Sequence, residues 1–330
     1  MVEIPRLNGA IRALESGKPA FCPFTTAEVA NALTFSTSRC DGVVFEMEHN
    51  PYDVKTLRDC LQYMLNRRQI VASGSLAPGV TPFVRIPPNG GENSQWVAKQ
   101  VLDLGVHGVV WPHISTVEDA RNAVAACRYP RPREAPRYEP AGQRGDAPTA
   151  AARYWGLTQA EYYERADVWP LDPQGEILVI IMCEEKRAIG NLPRMLEQVP
   201  GIGVVLIGEG DLSQDLGYPR QYAHPAVASA IRDILAICKQ YNVVCGHPHV
   251  DSGNVESLIE QGLPLADASA GGFVCGAGEG AAGVREGMSN VRRLYTRLGL
   301  KIGRGVIKLS SAPCLSRQAR QELTYPSAAS

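Results

Sequence analysis

At residues 177–184 the chain reads ILVIIMCE, an unbroken apolar run that ends in the carboxylate of Glu184. A strand with one face in water alternates polar and apolar side chains, whereas a strand covered on both faces is apolar throughout. The run therefore predicts a strand inside a parallel sheet that is covered by helices. A charged side chain directly after such a strand indicates that this end of the sheet carries chemistry.

Similar short apolar runs recur along the chain, separated by amphipathic segments with helical spacing. The predicted strands are residues 20–25, 42–49, 81–86, 108–114, 176–184, 203–208, 242–249 and 271–276. The predicted helices are residues 53–68, 94–104, 116–127, 187–198, 225–241 and 253–261. Strands that alternate with helices form parallel sheets through right-handed crossovers. Eight strands favour a closed sheet, so we predict an α/β fold, a (β/α)₈ TIM barrel over residues 1–300.

Two segments depart from this alternation. Residues 130–145 are rich in Pro and Arg and begin an insert, about 130–172, between the fourth and fifth predicted strands. Long insertions of this kind often form lids or subunit contacts. Residues 301–330 are a weakly patterned C-terminal extension, which we expect to be flexible or packed on a neighbouring subunit.

Composition excludes several classes of protein. The 330 residues carry a formal net charge of −1 and no basic stripe, so nucleic acid is not expected as a partner. No apolar stretch approaches the roughly 18 residues of a membrane span, and residues 1–9 lack a signal-peptide core. None of the nine cysteines has C-x-x-C spacing, which favours reduced, buried thiols. We expect a cytoplasmic protein.

Charged and imidazole side chains collect at the carboxyl ends of the predicted strands, where barrel enzymes place their active sites. Glu184 and Asp211 follow neighbouring strands, so their carboxylates can converge on one point. Two hard oxygen ligands plus water suit Mg²⁺ or Mn²⁺. The alternative is a pair of solvated loop acids. Glu185 is a competing ligand, although its side chain should point to the opposite face of the strand.

Two further strand ends carry candidate catalytic residues. Arg85 can hold a substrate carboxylate or stabilise charge on an enolate oxygen, or it can form an ion pair with Glu46 or Glu48. His49 is a candidate general base because imidazole titrates near neutral pH, but a single histidine at a strand end is more often structural.

Two weaker signals lie near residues 208 and 247. Gly208-Glu209-Gly210-Asp211 lacks the lysine of a P-loop, but its backbone N–H groups can receive a small carboxylate. His247-x-His249 places two imidazoles on one face of a strand and opens a distant alternative, a zinc-dependent hydrolase. No other His-rich segment supports that alternative.

Several motifs resemble those of one family in consecutive order. FEMEH at 45–49 is similar to the DxEH signature of the HpcH/HpaI class II pyruvate aldolases, a branch of the aldolase/citrate lyase superfamily. VRIP at 84–87, LDLGVHGVVWP at 102–112 and IGEGDLS at 207–213 resemble further motifs of that family. RYP at 128–130 and GQRG at 142–145 resemble two halves of another, with an insert between them. The resemblance spans about 21–217.

The resemblance implies a division of roles among these residues. Glu184 and Asp211 would bind a divalent metal ion, Mg²⁺ first, with Mn²⁺, Co²⁺ or Zn²⁺ as alternatives. Arg85 would bind the carbonyl oxygen of pyruvate and stabilise its enolate. His49, paired with Asp103, would carry the acid/base step. Backbone groups of Gly208, Gly210 and Asp211 would seat the substrate carboxylate.

The family resemblance also implies a reaction and an assembly. The reaction is cleavage of a 4-hydroxy-2-oxo acid to pyruvate and an aldehyde, or its reverse, in a homo-oligomer that is a hexamer or trimer. Residues 153–156 and 165–170 resemble macrophomate synthase, so an oxaloacetate decarboxylase or a related C–C bond-forming enzyme is the alternative. Glu209 stands where the family usually has Pro, beside the predicted metal site.

Overall fold

The computed structural model describes residues 4–88, 95–247 and 272–274. The helices are α1 (Gly9–Glu15), α2 (Val29–Ser36), α3 (Val54–Met64), α4 (Arg67–Ser73), α5 (Trp96–Leu104), α6 (Val117–Ala126), α7 (Thr149–Trp155), α8 (Gln159–Arg165), α9 (Lys186–Gln198), α10 (Glu209–Asp215) and α11 (Pro225–Gln240). The strands are β1 (Ala20–Phe21), β2 (Phe24–Thr26), β3 (Gly42–Glu46), β4 (Thr81–Arg85), β5 (Gly108–Trp111), β6 (Val168–Trp169), β7 (Ile177–Cys183), β8 (Val204–Ile207), β9 (Val244–His247) and β10 (Gly272–Val274). No helix in these ranges is both long and apolar enough to cross a membrane.

The strands form one curled parallel sheet in the order β1-β10-β9-β8-β7-β5-β4-β3-β2, with β6 paired to β7. β1 and β2 follow each other closely in the chain, yet they are the two opposite ends of this order. Ala20 is in register with Phe273, and Phe24 is in register with Val44. The predicted parallel α/β arrangement is confirmed, and the sheet is TIM-barrel-like.

The apolar residues of β7 divide between two cores, which explains why the run is apolar throughout. Leu178, Ile180 and Met182 join Phe83 and Val110 in an inner cluster on the concave side. The intervening residues face the helices in the larger outer cluster; they are Ile177, Val179, Ile181 and Cys183. Because strand side chains alternate in direction, Glu184 continues the inner series. The inner core therefore aims its carboxylate into the mouth of the sheet.

Helix α1 covers the amino end of the same inner cluster. Asn8 caps this helix, and its amide donates to the carbonyls of His107 and Glu176 at 3.1 and 3.0 Å. Ile11 and Leu14 pack among the inner side chains. Apolar burial and these hydrogen bonds close this end of the sheet, so open space is left at the carboxyl ends of the strands.

Some helix predictions need correction. The single helix predicted over 53–68 is wrong, because the chain breaks between α3 and α4. Leu65 is extended there, and Asn66 accepts a hydrogen bond from the N–H of Gln69, starting a new helix. The predicted helix at 253–261, His249 and the 301–330 extension lie outside the described residues.

The insert lies between β5 and β7 and is tied to the fold by one buried arginine. Residues 130–148 contain no helix or strand, and α7, α8 and β6 follow. Nε of Arg128 donates to Asp167 at 2.7 Å, and its Nη atoms donate to the carbonyls of Arg137, Tyr138 and Pro140. A buried guanidinium with all these partners holds an otherwise irregular segment in one conformation.

Candidate active site

A cavity of about 420 Å³ opens at the carboxyl ends of the strands. It is lined by Phe24, Glu46, His49, Arg85, Met182, Glu184, Gly208, Glu209, Gly210, Asp211, Gln214, Arg220 and Tyr222. Among the residues predicted from sequence to act at the site, only Asp103 is missing from the lining. The size suits a small ligand.

Glu184 is the most buried acid of the cavity, with 1% of its side chain exposed. Its Oε1 accepts the backbone N–H of His113 at 2.5 Å, whereas Oε2 has no hydrogen-bond partner among the described residues. The pKa of Glu184 is raised to about 7, mainly by burial; His113 acts against this rise, and the nearby carboxylates of Glu48 and Asp211 add to it. A buried, unsatisfied carboxylate oxygen is costly and would be stabilised by a cation.

Gly208 lets the chain pass directly beside this carboxylate. A Cβ added there would lie against Oε2 of Glu184 and 2.5 Å from its Cβ. Gly208 also caps α10, which places Asp211 in the first turn of that helix. The segment read from sequence as a loop is therefore a helix start, packed against the acid of the neighbouring strand.

The acids at this point fit an open metal site. The described residues contain no group of three or more His, Cys, Asp or Glu side chains that could hold a metal ion without other ligands. Glu184 and Asp211 would therefore supply two hard oxygen ligands and leave the other positions to water and substrate, as Mg²⁺ prefers. The unpartnered Oε2 of Glu184 is the observation that supports this fit.

The close approach at Gly208 leads to a test with a matched control. We expect Gly208→Ala to push the Glu184 carboxylate aside and to weaken divalent-metal affinity by about 10-fold or more, the scale seen when metal ligands lose their supporting contacts. Gly210→Ala adds the same methyl group where nothing lies within 4 Å. Titration calorimetry with Mg²⁺ or Mn²⁺ measures both variants. Equal affinities would show that the Gly208 contact does not position a ligand.

Arg85 is both ion-paired and present in the cavity, with 14% of its side chain exposed. Its Nε donates to Oε2 of Glu46 at 2.6 Å, and its Nη1 lies 2.9 Å from Glu48. The guanidinium also sits 5.0 Å from the ring centroid of Phe24. The ion pairs of Arg85 with Glu46 and Glu48, considered above as an alternative to substrate binding, are thus present. They hold the guanidinium in the cavity wall, where it can still face a ligand.

His49 and Asp103, predicted to act as a pair, have different neighbours among the described residues. The His49 side chain is 63% exposed, and its Nε2 lies 3.5 Å from Glu48. Asp103 lies on α5 and accepts from Arg144 at 2.9 Å. The two residues make no contact with each other in the described part of the chain, so their pairing remains a prediction.

His113 belongs to the acidic cluster although sequence reasoning assigned it no role. Its Nδ1 lies 3.0 Å from Glu185 and 3.7 Å from Glu184, and its Nε2 lies 3.8 Å from Glu48. Burial alone would lower the pKa of His113, but these carboxylates raise it above the usual value. His113 adopts φ 55°, an unusual conformation that turns the chain at the strand end. Its position after β5 was the only available signal.

Glu209 turns out to have a buried partner. Its Oε2 lies 3.2 Å from Nε2 of His247, and both side chains are buried. One histidine of the pair considered for zinc is therefore engaged by a carboxylate, and His249 lies outside the described residues.

Comparison with known proteins gives the family of the chain. The model of a family described as HpcH/HpaI aldolase/citrate lyase matches residues 20–275. The chain belongs to this HpcH/HpaI family. It is a carbon–carbon lyase, and the resemblance seen in its motifs is confirmed.

Curated members of the HpcH/HpaI family align over most of the chain. Hydroxypyruvate/pyruvate aldolase of Roseobacter denitrificans is 30% identical over 257 residues, which are 78% of this chain and 88% of that protein. Pyruvate aldolase of Rhizobium etli is 32% identical over 241 residues, 72% of this chain and 81% of that protein. 2-Keto-3-deoxy-L-rhamnonate aldolase of Salmonella typhi is 31% identical, covering 69% and 73%.

Solved structures show the same fold. An HpcH/HpaI family protein from Burkholderia cenocepacia matches with a TM-score of 0.65 and 23% identity, over 86% of this chain and 98% of that one. Macrophomate synthase matches with a TM-score of 0.58 and 20% identity, over 90% and 93%. At these identities the likeness concerns the fold alone.

Proposed function

We propose that this lyase forms and cleaves a C–C bond through the enolate of pyruvate, interconverting a 4-hydroxy-2-oxo acid with pyruvate and an aldehyde. The carrying observation is the buried Glu184 carboxylate, whose Oε2 lacks a partner in the described structure and shares a cavity with Arg85. Relatives named pyruvate aldolase and hydroxypyruvate/pyruvate aldolase support this choice of substrate.

Glu184 and Asp211 hold the divalent cation in this proposal, Mg²⁺ before Mn²⁺, Co²⁺ or Zn²⁺. A bound cation supplies Lewis-acid polarisation of the 2-oxo acid. The chain supplies the rest of the site. Arg85 is oriented by Glu46 and Glu48 and donates to the oxygen on which enolate charge develops. Backbone groups of Gly208, Gly210 and Asp211 seat the substrate carboxylate.

His49 is the proposed acid/base residue, and its partner is Asp103 of a second copy of the chain. The exposure of the His49 ring supports this, because a neighbouring subunit can reach it. Exposed Tyr63, Val71 and Trp96 offer apolar surface for such a contact, with 55%, 81% and 55% of each residue accessible. We therefore propose a homo-oligomer, hexameric or trimeric, to which the insert and the 301–330 extension contribute contacts.

The full architecture and location are also part of the proposal. Pairing of β1 with β10 and of β2 with β3 supports closure of the sheet into a (β/α)₈ barrel. The seven described cysteines are buried and form no disulfide, which suits the reducing cytoplasm.

Metal removal tests the proposed reaction. Chelator-treated protein is incubated with pyruvate in D₂O, and methyl deuteration is followed by NMR before and after Mg²⁺ is restored. We expect exchange to require the metal, because the methyl proton becomes acidic only when the carbonyl is polarised. Exchange that persists without metal, or that fails with every divalent cation, would contradict the proposal. Oxaloacetate decarboxylation that exceeds cleavage of all 4-hydroxy-2-oxo acids would favour the alternative activity.

A further inference from the structure

Arg220 occupies a turn position that arginine rarely adopts. The N–H of Gln221 donates to the carbonyl of Tyr218 at 3.0 Å, which closes a turn with Pro219 second and Arg220 third. Arg220 has φ 58°, the left-handed conformation that turns of this kind usually assign to Gly or Asn. A side chain kept in a strained backbone position at a cavity is a reason to look for a function.

The turn is held against the helix that carries Asp211. The N–H of Arg220 donates to Oγ of Ser213 at 2.9 Å, and that hydroxyl donates to the carbonyl of Gly210 at 2.7 Å. The ring of Tyr218 stacks on His224 with centroids 3.6 Å apart. Ser213 is fully buried, so this connection is shielded from water. The backbone of Arg220 is therefore fixed relative to the predicted metal ligand.

Arg85 and Arg220 are the arginines of the cavity lining, and they differ in their ion pairs with the described residues. Arg85 is paired with Glu46 and Glu48, whereas Arg220 makes no ion pair and no side-chain hydrogen bond to any residue that the structure describes. Arg220 is exposed, so its guanidinium lies on the solvent side of the cavity. A planar, permanently charged fork in that place suits a carboxylate or phosphate.

We propose that Arg220 selects acceptor aldehydes that carry an anionic group, a carboxylate or a phosphate, at the end remote from the carbonyl. This rests on the proposed function, in which the pyruvate carboxylate and carbonyl lie at Glu184, Arg85 and the start of α10. The second substrate must then approach from the open side, which Arg220 borders. Arg220 is a specificity-determining residue on this view.

Matched aldehydes test the selection. Aldol addition of pyruvate with Mg²⁺ is measured for D-glyceraldehyde 3-phosphate against D-glyceraldehyde, and for succinic semialdehyde against butanal. We expect the wild-type protein to favour the charged member of at least one pair in kcat/KM. Arg220→Gln should lower that preference on the order of tenfold, the scale of one charge-assisted hydrogen bond. Arg220→Lys should keep part of it, and the pair affected identifies carboxylate or phosphate as the group bound.

Arg194→Gln is the control, because it removes an exposed arginine that lies on α9 outside the cavity lining. It should leave the preference unchanged. If Arg220→Gln keeps the wild-type preference, the inference is overturned. If Arg220→Gln loses activity equally with charged and neutral aldehydes, the inference is also overturned, because Arg220 then has a structural role. Pyruvate methyl exchange in the wild-type protein separates the two failures, since its absence overturns the proposed function and this inference together.

Discussion

Glu184→Gln is expected to lower metal-dependent pyruvate methyl H/D exchange by about 10³-fold or more. Glutamine keeps the shape of the side chain but replaces a charged ligand oxygen with a neutral amide. Lewis-acid stabilisation is worth several kcal/mol, and about 4 kcal/mol corresponds to roughly 10³-fold in rate. NMR of the pyruvate methyl group measures the effect with saturating Mg²⁺.

Glu185→Gln is the matched control for this variant. Glu185 is the next residue, but its carboxylate binds His113 and the hydroxyl of Ser115 and does not line the cavity. We expect its exchange rate to stay within a few-fold of wild type. If Glu185→Gln is inactive and Glu184→Gln is active, the metal ligand is Glu185 and not Glu184.

Glu184→Gln, although expected to lower activity, is expected to raise the stability of the metal-free protein. The raised pKa of Glu184 means that the folded protein binds more protons than the unfolded chain between about pH 4.5 and 7. The ionised side chain therefore destabilises the metal-free fold increasingly as the pH rises through that window. We expect Glu184→Gln to be more stable than metal-free wild type at pH 7, by about 2 kcal/mol in urea unfolding. Added Mg²⁺ should raise the Tm of the wild type alone.

The position of Glu184 could be predicted because it depends only on the apolar pattern of the strand that precedes it. An apolar run read from residue 177 to 183 defines a buried strand, and its period of two places the next side chain on the inner face. Arg85 follows the same rule on β4, where Phe83 is the inner residue before it. The six predicted residues of the cavity lining lie at or shortly after such strand ends.

The contacts that were not predicted depend on backbone geometry or on distant parts of the chain. His113 lies near Glu48 and Glu184 and has a positive φ, and nothing in the neighbouring sequence specifies that conformation. The partner of Glu209 is His247, which lies one strand further along the chain and had been assigned to a different kind of site. The break at Asn66 comes directly after a helical leucine spacing, Leu57, Leu61 and Leu65, which gives no sign that the helix is about to end.

Arg85→Lys is expected to lower pyruvate exchange on the order of 10²-fold while keeping the positive charge. The guanidinium can bind Glu46, Glu48 and a substrate oxygen at once because its donors point in several fixed directions. An ammonium group is a single point and must leave at least one of these partners. Loss of one donor aimed at a developing oxyanion costs about 10²-fold to 10³-fold in other enzymes. Arg85→Ala is a poorer test, because it would leave two partly buried acids without a counter-charge.

Arg128→Lys separates this catalytic effect from the general cost of replacing a buried arginine. Arg128 is also paired with a carboxylate, at 2.7 Å from Asp167, but it holds the insert and lies outside the cavity lining. We expect both variants to lose stability in urea unfolding, since each disrupts a forked ion pair. Only Arg85→Lys should lose exchange per folded molecule. If Arg85→Lys unfolds more easily but exchanges pyruvate at the wild-type rate, Arg85 serves Glu46 and Glu48 alone, and the enolate oxygen must be stabilised by another group.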